Sequence, residues 1–255
     1  MKLVLLGDPV EHSRSPAIQN AALGAAGIVG SYEARRVDRA GLASAIDEIR
    51  YGGLDGANVT MPHKESAFAL VDRVSEIALR AGAVNTVIHR DGMAAGDNTD
   101  VSGLLRVSDD LGLGETDAVL VLGSGGAAAA ALVAFADRRI LISARSGDRA
   151  GTLLHRTRVD GKVVEWGNAI QGAVVVNATP LGMAGEPLPD GIVERAAGLI
   201  DLPYGDQRTP SVVSGFALGL PVADGREVLL AQAAASFELW TPVAAPIEAM
   251  RAALS

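Results

Sequence analysis

Five consecutive apolar residues, Ala118-Val119-Leu120-Val121-Leu122, run directly into Gly123-Ser124-Gly125-Gly126 and then into an Ala-rich stretch over 127–136. A strand that is apolar throughout has no solvent face. It must be covered on both sides, which is the condition of a parallel sheet flanked by helices. In Gly123-x-Gly125-x-x-Ala128 the first small residue permits a tight turn. The second lets the backbone approach a pyrophosphate, and the third lets the helix pack closely on the strand. The free N–H groups of the helix start favour an anion. A merely close-packed α/β turn carries the same small residues, but the strand before and the helix after are the context of a dinucleotide site.

The same alternation governs the rest of the chain. Strands are predicted at 3–6, 31–37, 56–60, 83–88, 140–143, 174–176 and 199–202. Helices are predicted at 15–26, 42–49, 64–70, 75–80, 101–111 and 226–240, the last read as long and amphipathic. Ser15 is placed as the N-cap of the first, with Pro16 at its first position. Asp91-Gly92 marks a hairpin. The helix over 101–111 joins two halves. The expected class is α/β, with an N-terminal α/β domain and a Rossmann-like, doubly wound parallel sheet.

Composition removes several alternatives. Only 4% of the residues are aromatic, so the core must be built from Ala, Val, Leu and Ile. A net charge of −8 argues against a nucleic-acid surface. The absence of cysteine excludes disulfides, thiolate chemistry and Cys-ligated metal, and the four histidines show no zinc-binding spacing. No metal is therefore expected. Lys2 is followed by only four apolar residues, too few for a signal peptide, and the longest apolar run is half a membrane span. These features predict a cytoplasmic enzyme or binding protein with no membrane partner.

The end of the second nucleotide strand bears on the cofactor. NAD binders usually carry an acid there. This chain has Ser143-Ala144-Arg145-Ser146, with Arg149 four residues on. Two guanidinium groups at that spacing suit a ribose 2′-phosphate, which favours NADP. Two solvated surface arginines, with Asp148 between them, fit the pattern too.

In the first half, Asn58-Val59-Thr60-Met61-Pro62-His63-Lys64 and Asn98-Thr99-Asp100 both follow predicted strands. A ketone reduced by hydride needs a proton from a nearby acid, and lysine paired with a carboxylate is one suitable donor. Equally, Lys64 fits an ordinary helix-surface lysine, Thr99 or Asp100 a cap for a helix beginning at Val101, and Ser13 and Ser15 a turn with its N-cap.

Seven segments in register make the chain resemble the shikimate dehydrogenase family over nearly its whole length. They are Gly7-x-Pro9-x-x-His12-Ser13-x-Ser15-Pro16, Asn58-Val59-Thr60-x-Pro62-x-Lys64, Gly82-Ala83-Val84-Asn85-Thr86, Asn98-Thr99-Asp100, Gly123-x-Gly125-Gly126-Ala127, Asn177-Ala178-Thr179-Pro180-x-Gly182-Met183, and Gly225 with Gln232-Ala233. The resemblance implies a substrate domain over 1–101, an NADP domain over 102–225, and a C-terminal segment, 226–255, that returns to the first domain. It implies that Lys64 and Asp100 form the catalytic pair and that Ser13 and Ser15 hold a substrate carboxylate. Thr60, Asn85, Tyr204 and Gln232 are further substrate contacts. Gly123, Ser124, Gly125, Gly126, Ala127, Arg145, Arg149, Thr179, Leu202 and Gly225 are cofactor contacts.

The activity so implied is reversible NADPH-dependent reduction of 3-dehydroshikimate to shikimate, on the route to chorismate and the aromatic amino acids, by a monomer or homodimer. A quinate/shikimate dehydrogenase using NAD shares nearly every segment but would normally carry the strand-end acid. A non-catalytic ligand sensor would be expected to lose Lys64 or Asp100. The chain departs from the family pattern at Gln19, where histidine is usual, at Ala144 and Ser146 around the arginine, at Ala129, and at Val228.

Overall fold

The computed structural model describes residues 1–113 and 118–254. The chain forms two compact units, one from 1–99 with 232–255 and the other from 100–231.

The first unit begins with β1 (Lys2–Gly7), α1 (Ser15–Ala25), β2 (Ser31–Arg36), α2 (Arg39–Arg50) and β3 (Gly56–Val59). It continues with α3 (Lys64–Leu70), β4 (Arg73–Val74), α4 (Glu76–Ala81), β5 (Thr86–Arg90) and β6 (Met93–Asp97). Its sheet has the order β2-β1-β3-β5-β6-β4. β1 is parallel to β2 and β3, and β4 to β6, whereas β5 is antiparallel to both neighbours. The hairpin turn explains the exception. Asp91 (φ 53°) and Gly92 (φ 72°) both lie in the left-handed region, as a two-residue type I′ turn requires. Side-chain caps fix two helix starts: Asp38 accepts from Gly41 N at 2.8 Å and Ser75 from Ala78 N at 3.1 Å.

The second unit holds α5 (Thr99–Asp110), which starts at the unit boundary, then β7 (Ala118–Leu122), α6 (Gly126–Ala134), β8 (Arg139–Ser143), α7 (Gly147–Thr157) and β9 (Gly161–Val164). Then come β10 (Val174–Asn177), β11 (Gly198–Asp201), α8 (Pro210–Ala217), β12 (Val222–Ala223) and the start of α9 (Gly225–Trp240). The sheet order is β12-β11-β10-β7-β8-β9, parallel throughout. Its first strand is central, with the chain winding outward first on one side and then on the other. That is the doubly wound order of dinucleotide-binding domains. β7 is buried along its whole length, as its apolar run demands. From Gln232 onward α9 belongs to the first unit, together with α10 (Ile247–Ala252), which packs on α1.

Four sequence expectations are corrected. Ser15 is not the N-cap of α1; Arg14 holds that position with no side-chain capping bond to the helix, and the Ser15 N–H donates to Ser13 Oγ at 3.2 Å. α5 begins at Thr99 rather than Val101, because the Thr99 N–H is already satisfied by Asn85. The strand expected at 83–88 starts only at Thr86; Val84 N instead donates to Lys64 O at 2.9 Å. α9 is neither amphipathic nor last. In it only Glu238 is exposed, since Ala, Leu and Phe side chains occupy its other faces, and α10 follows. β4, α7, β9, α8 and β12 were not anticipated. The two strands among them that have only two residues each leave no periodicity to read.

α9 reaches the first unit's sheet through Trp240. The Trp240 Nε1–H donates to Val87 O at 3.0 Å, and its ring lies 6.0 Å from that of Tyr32. This approach requires Gly56, since a Cβ there would overlap Trp240 Nε1 and lie 2.7 Å from Val87 O. Gly56→Ala is expected to destabilise the protein by about 1–3 kcal/mol, the usual cost of overpacking. Urea denaturation of the variant checks this.

Candidate active site

In the first unit, strand register brings the chemically interesting residues to one end of the sheet. Leu6 pairs with Val59, Asn58 with Thr86, and Thr86 with Asp97. The ends of β1, β3 and β6 and the start of β5 therefore coincide. Ser13, Ser15, Thr60, Lys64 and Asn85 all lie on the segments leaving or entering that end. Lys64 is the first residue of α3, and its carbonyl accepts from Val84, the neighbour of Asn85. The preceding His63 is buried, with Nε2 donating to Val37 O at 2.8 Å; a carbonyl only accepts, which fixes the proton on Nε2.

Asn85 is 2% exposed. Its Oδ1 accepts from Thr99 N at 2.7 Å, Thr86 Oγ1 at 3.0 Å and Thr99 Oγ1 at 3.1 Å. A backbone N–H only donates, so the atom facing it is the oxygen, and Nδ2 points elsewhere. Nδ2 has no partner among the described residues. The Ser15 hydroxyl also lacks one, although the residue is buried. Gln232, half-buried on α9, has its carbonyl bonded by Ser236 Oγ at 3.0 Å. Gln19 is fully buried and donates from Nε2 to Ala233 O at 2.9 Å, so it holds α9 at the residue after Gln232.

The second unit gathers another set at the carboxyl ends of its strands, where ligands bind in open α/β sheets. Gly123 ends β7 with φ 111°, and a Cβ there would lie 2.8 Å from Ala178 O. No other residue fits. A Cβ on Gly125 or Gly126 would meet nothing within 4 Å, so the protein itself leaves the space over α6 open. Gly125 caps α6 without a side-chain bond. Ser124 and Ala127 are half-buried, while Ala128 is fully buried against the sheet.

Arg145 follows β8, and Arg149 lies in the first turn of α7, whose start is capped by Ser146 Oγ at 3.3 Å. Both arginines are exposed, and neither guanidinium makes an ion pair or hydrogen bond among the described residues. Thr179 spends its hydroxyl proton on Asn177 Oδ1 at 2.6 Å, leaving its methyl toward Gly123. Gly225 packs under Leu202 O, and a Cβ there would overlap that carbonyl. A cavity of about 290 Å³ in this unit is lined by Tyr204, Arg208, Asp224, Gly225 and Arg226 among others. Asp100, in the first turn of α5, is half-buried.

The sequence did not single out Asp201. It ends β11 fully buried and accepts from Thr209 Oγ1, from Ser211 Oγ at 2.9 Å and from Asn177 Nδ2 at 2.6 Å. Asn177 Oδ1 in turn holds Thr179 N at 3.1 Å, so the carboxylate anchors the loop against which Gly123 turns. An acid closing an apolar strand was the available signal, since a buried carboxylate must be paired. Among the described residues no group of His, Asp or Glu could hold a metal ion, and no helix is long and apolar enough to cross a membrane.

These features define an α/β protein with a dinucleotide-binding parallel sheet and a second, mixed-sheet unit that gathers lysine, serine, threonine and asparagine at one edge. The substrate-binding-domain model of shikimate dehydrogenase matches residues 5–87, and the shikimate 5′-dehydrogenase C-terminal-domain model matches 225–254. A shikimate dehydrogenase (NADP(+)) of Alkalilimnicola ehrlichii is 39% identical over 96% of both chains. One from Oleidesulfovibrio alaskensis is 38% identical over 98% of this chain and 93% of its own. The crystal structure of Thermus thermophilus shikimate 5-dehydrogenase, in complex with NADP(H) and shikimate, superposes with a TM-score of 0.90. It is 34% identical and is matched over 100% of this chain and 98% of that one. The chain belongs to the shikimate dehydrogenase family, as the seven sequence segments implied, and that family consists of oxidoreductases.

Burial pushes the Asp201 carboxyl above its ordinary 3.8, outweighing the three donors that pull it down. With the folded value raised, the unfolded chain ionises first, so stability is lost as pH climbs from the ordinary value through the raised one. An uncharged amide escapes that loss. Asp201→Asn is therefore expected to improve steadily relative to the native protein as pH rises across this range. Urea denaturation at a series of pH values checks it, and a pH-independent difference contradicts it.

Proposed function

We propose that this chain catalyses the reversible NADPH-dependent reduction of 3-dehydroshikimate to shikimate in the cytoplasm. The observation that carries the reading is the company kept by Lys64: its cation starts α3 at the same sheet end as Ser13, Ser15, Thr60 and Asn85. A substrate with one carboxylate, several hydroxyls and one reducible ketone matches that set. Relatives of similar length, named shikimate dehydrogenase (NADP(+)), support it further.

The chain's own residues fit NADP. The glycine turn and uncapped α6 start suit a pyrophosphate. Arg145 and Arg149, exposed and without a partner among the described residues, suit a 2′-phosphate where an NAD binder would carry an acid. Thr179, Leu202 and Gly225 then border the nicotinamide. When bound, NADPH supplies the hydride that the ketone carbon accepts.

The protein residues do the remainder. Ser13 and Ser15 hydroxyls bind the carboxylate. Thr60, Asn85, Tyr204 and Gln232 read the ring hydroxyls, and a site built to bind hydroxyls rejects analogues that lack them. Lys64 Nζ gives a proton to the oxygen of the ketone as it becomes the alcohol. Asp100 orients that ammonium and accepts from a hydroxyl. In this reading residues 1–101 with 226–255 serve the substrate and 102–225 the cofactor.

Two measurements test the assignment, both following the reduced nicotinamide by absorbance with shikimate or quinate and NADP or NAD. Lys64→Ala is expected to lower turnover by about 10²-fold or more with cofactor affinity unchanged; a fall of less than about tenfold removes the lysine from the proton transfer. Replacing both Arg145 and Arg149 by alanine should raise KM for NADP by about tenfold or more and leave that for NAD nearly as before. Equal effects on the two cofactors contradict the 2′-phosphate role, and a native preference for NAD with quinate contradicts the NADP reading as a whole.

A further inference from the structure

The Ser236 hydroxyl is fully buried on α9 and touches four elements at once. It donates to Gln232 O at 3.0 Å and accepts from Asn58 Nδ2 at 2.9 Å. It also lies 3.0 Å from Thr86 Oγ1 and 2.9 Å from Thr99 Oγ1. A serine inside a helix commonly bonds the carbonyl one turn back and does nothing else. Here that bond consumes its single proton, which leaves the oxygen to accept from the rest of the cluster.

The protons can be followed one by one. Asn58 has its amide orientation fixed, because Nδ2 faces the backbone carbonyl of Asn85 at 3.2 Å while Tyr32 OH donates to Oδ1 at 2.8 Å. Asn85 Oδ1 has two lone pairs. The Thr99 N–H takes one, and the hydroxyl proton of Thr86 or Thr99 takes the other. The remaining threonine proton has two acceptors in reach, the Ser236 oxygen and, at 3.0 Å, the oxygen of the other threonine. With Ser236 in place every hydroxyl proton in the cluster has an acceptor, and Asn85 Oδ1 is saturated from inside. Its Nδ2 is then a fixed, outward-facing donor. Without Ser236 the threonine pair loses the oxygen that both lie against and keeps only each other and Asn85 Oδ1, so the clamp on the Asn85 amide loosens.

We propose that Ser236 is a positioning residue, which acts on substrate through Asn85: it holds in place the two threonines that clamp the amide oriented by the Thr99 N–H, and so keeps that asparagine a fixed, donor-only contact, whose ligand atom must accept a hydrogen bond. This deepens the reading above and rests on Asn85 touching the substrate. The whole cluster belongs to the first unit, so the effect should fall on shikimate and not on the dinucleotide.

The test is a double-mutant cycle between Ser236→Ala and Asn85→Ala, with KM for shikimate, KM for NADP, kcat and Tm measured for each protein. Alanine is a better helix former than serine, so Ser236→Ala is expected to fold; Ser236→Cys, which keeps the volume and weakens the hydrogen bonds, serves as a second variant. Ser236→Ala should raise KM for shikimate about five- to tenfold, with KM for NADP and kcat within about twofold, and Ser236→Cys should fall between it and the native protein. In the Asn85→Ala background the same substitution should change KM for shikimate by less than about twofold, because the group it positions is gone. An unchanged KM for shikimate, an equal rise for both substrates, or an effect that persists in full without Asn85 overturns the positioning role. If Asn85→Ala itself leaves KM for shikimate unchanged, the substrate contact fails and the inference falls with it.

Discussion

The Thr99 N–H donates to Asn85 Oδ1 at 2.7 Å in a place that water does not reach. Much of the first unit follows from this bond. It sets the start of α5 and so the position along the chain from which Asp100 projects. It also decides which end of the Asn85 amide faces inward. A buried amide or backbone group left unpaired is costly, so each neighbour must answer the same demand. Thr86, Asn58, Tyr32 and Ser236 are the answer, and through Ser236 the demand reaches α9. The cluster is a polar core within an apolar one. Its stability comes from pairing its hydroxyls and the two amide oxygens, Asn58 Oδ1 and Asn85 Oδ1, within the cluster.

The second unit applies the same logic with different parts. Asp201, at the end of an apolar strand, is paired by Asn177, Thr209 and Ser211. Asn177 then orders the loop whose Ala178 carbonyl lies against Gly123. The glycine is required by that contact and by its positive φ, whereas a Cβ on Gly125 or Gly126 would meet nothing among the described residues. Those two glycines are explained by what the turn is built to accommodate. In both units most inward-facing atoms are committed to the scaffold, Gln19 Oε1 and Asn98 Oδ1 excepted, whereas Asn85 Nδ2, the Ser15 hydroxyl and the two guanidiniums after β8 have no partner among the described residues.

Much of this was legible in the chain itself. The apolar run at 118–122 could only be a buried strand, and Asp91-Gly92 could only be a tight hairpin. Seven segments in register were enough to identify the family. Less legible were the departures from its pattern. Gln19 turned out to be a buried contact to α9, and Ser146 a helix cap in front of Arg149. Each is a local change whose partner is remote or depends on backbone geometry.

The sequence by itself determined the longer apolar strands and most of the helices, the parallel second sheet, the glycine turn and the family, because these depend on near-neighbour periodicity and on residues with few conformational options. Tertiary structure alone decided which polar side chains are spent on the scaffold and which are left unspent. That assignment is made by pairings such as Asn58 with Ser236 and Asp201 with Thr209, which join different elements. It is also why α9, rich in Ala and Leu, is buried or half-buried at every position but Glu238 instead of lying amphipathic on a surface. Hydrogen-bond saturation is a property of a place in space, and no spacing along the chain encodes it.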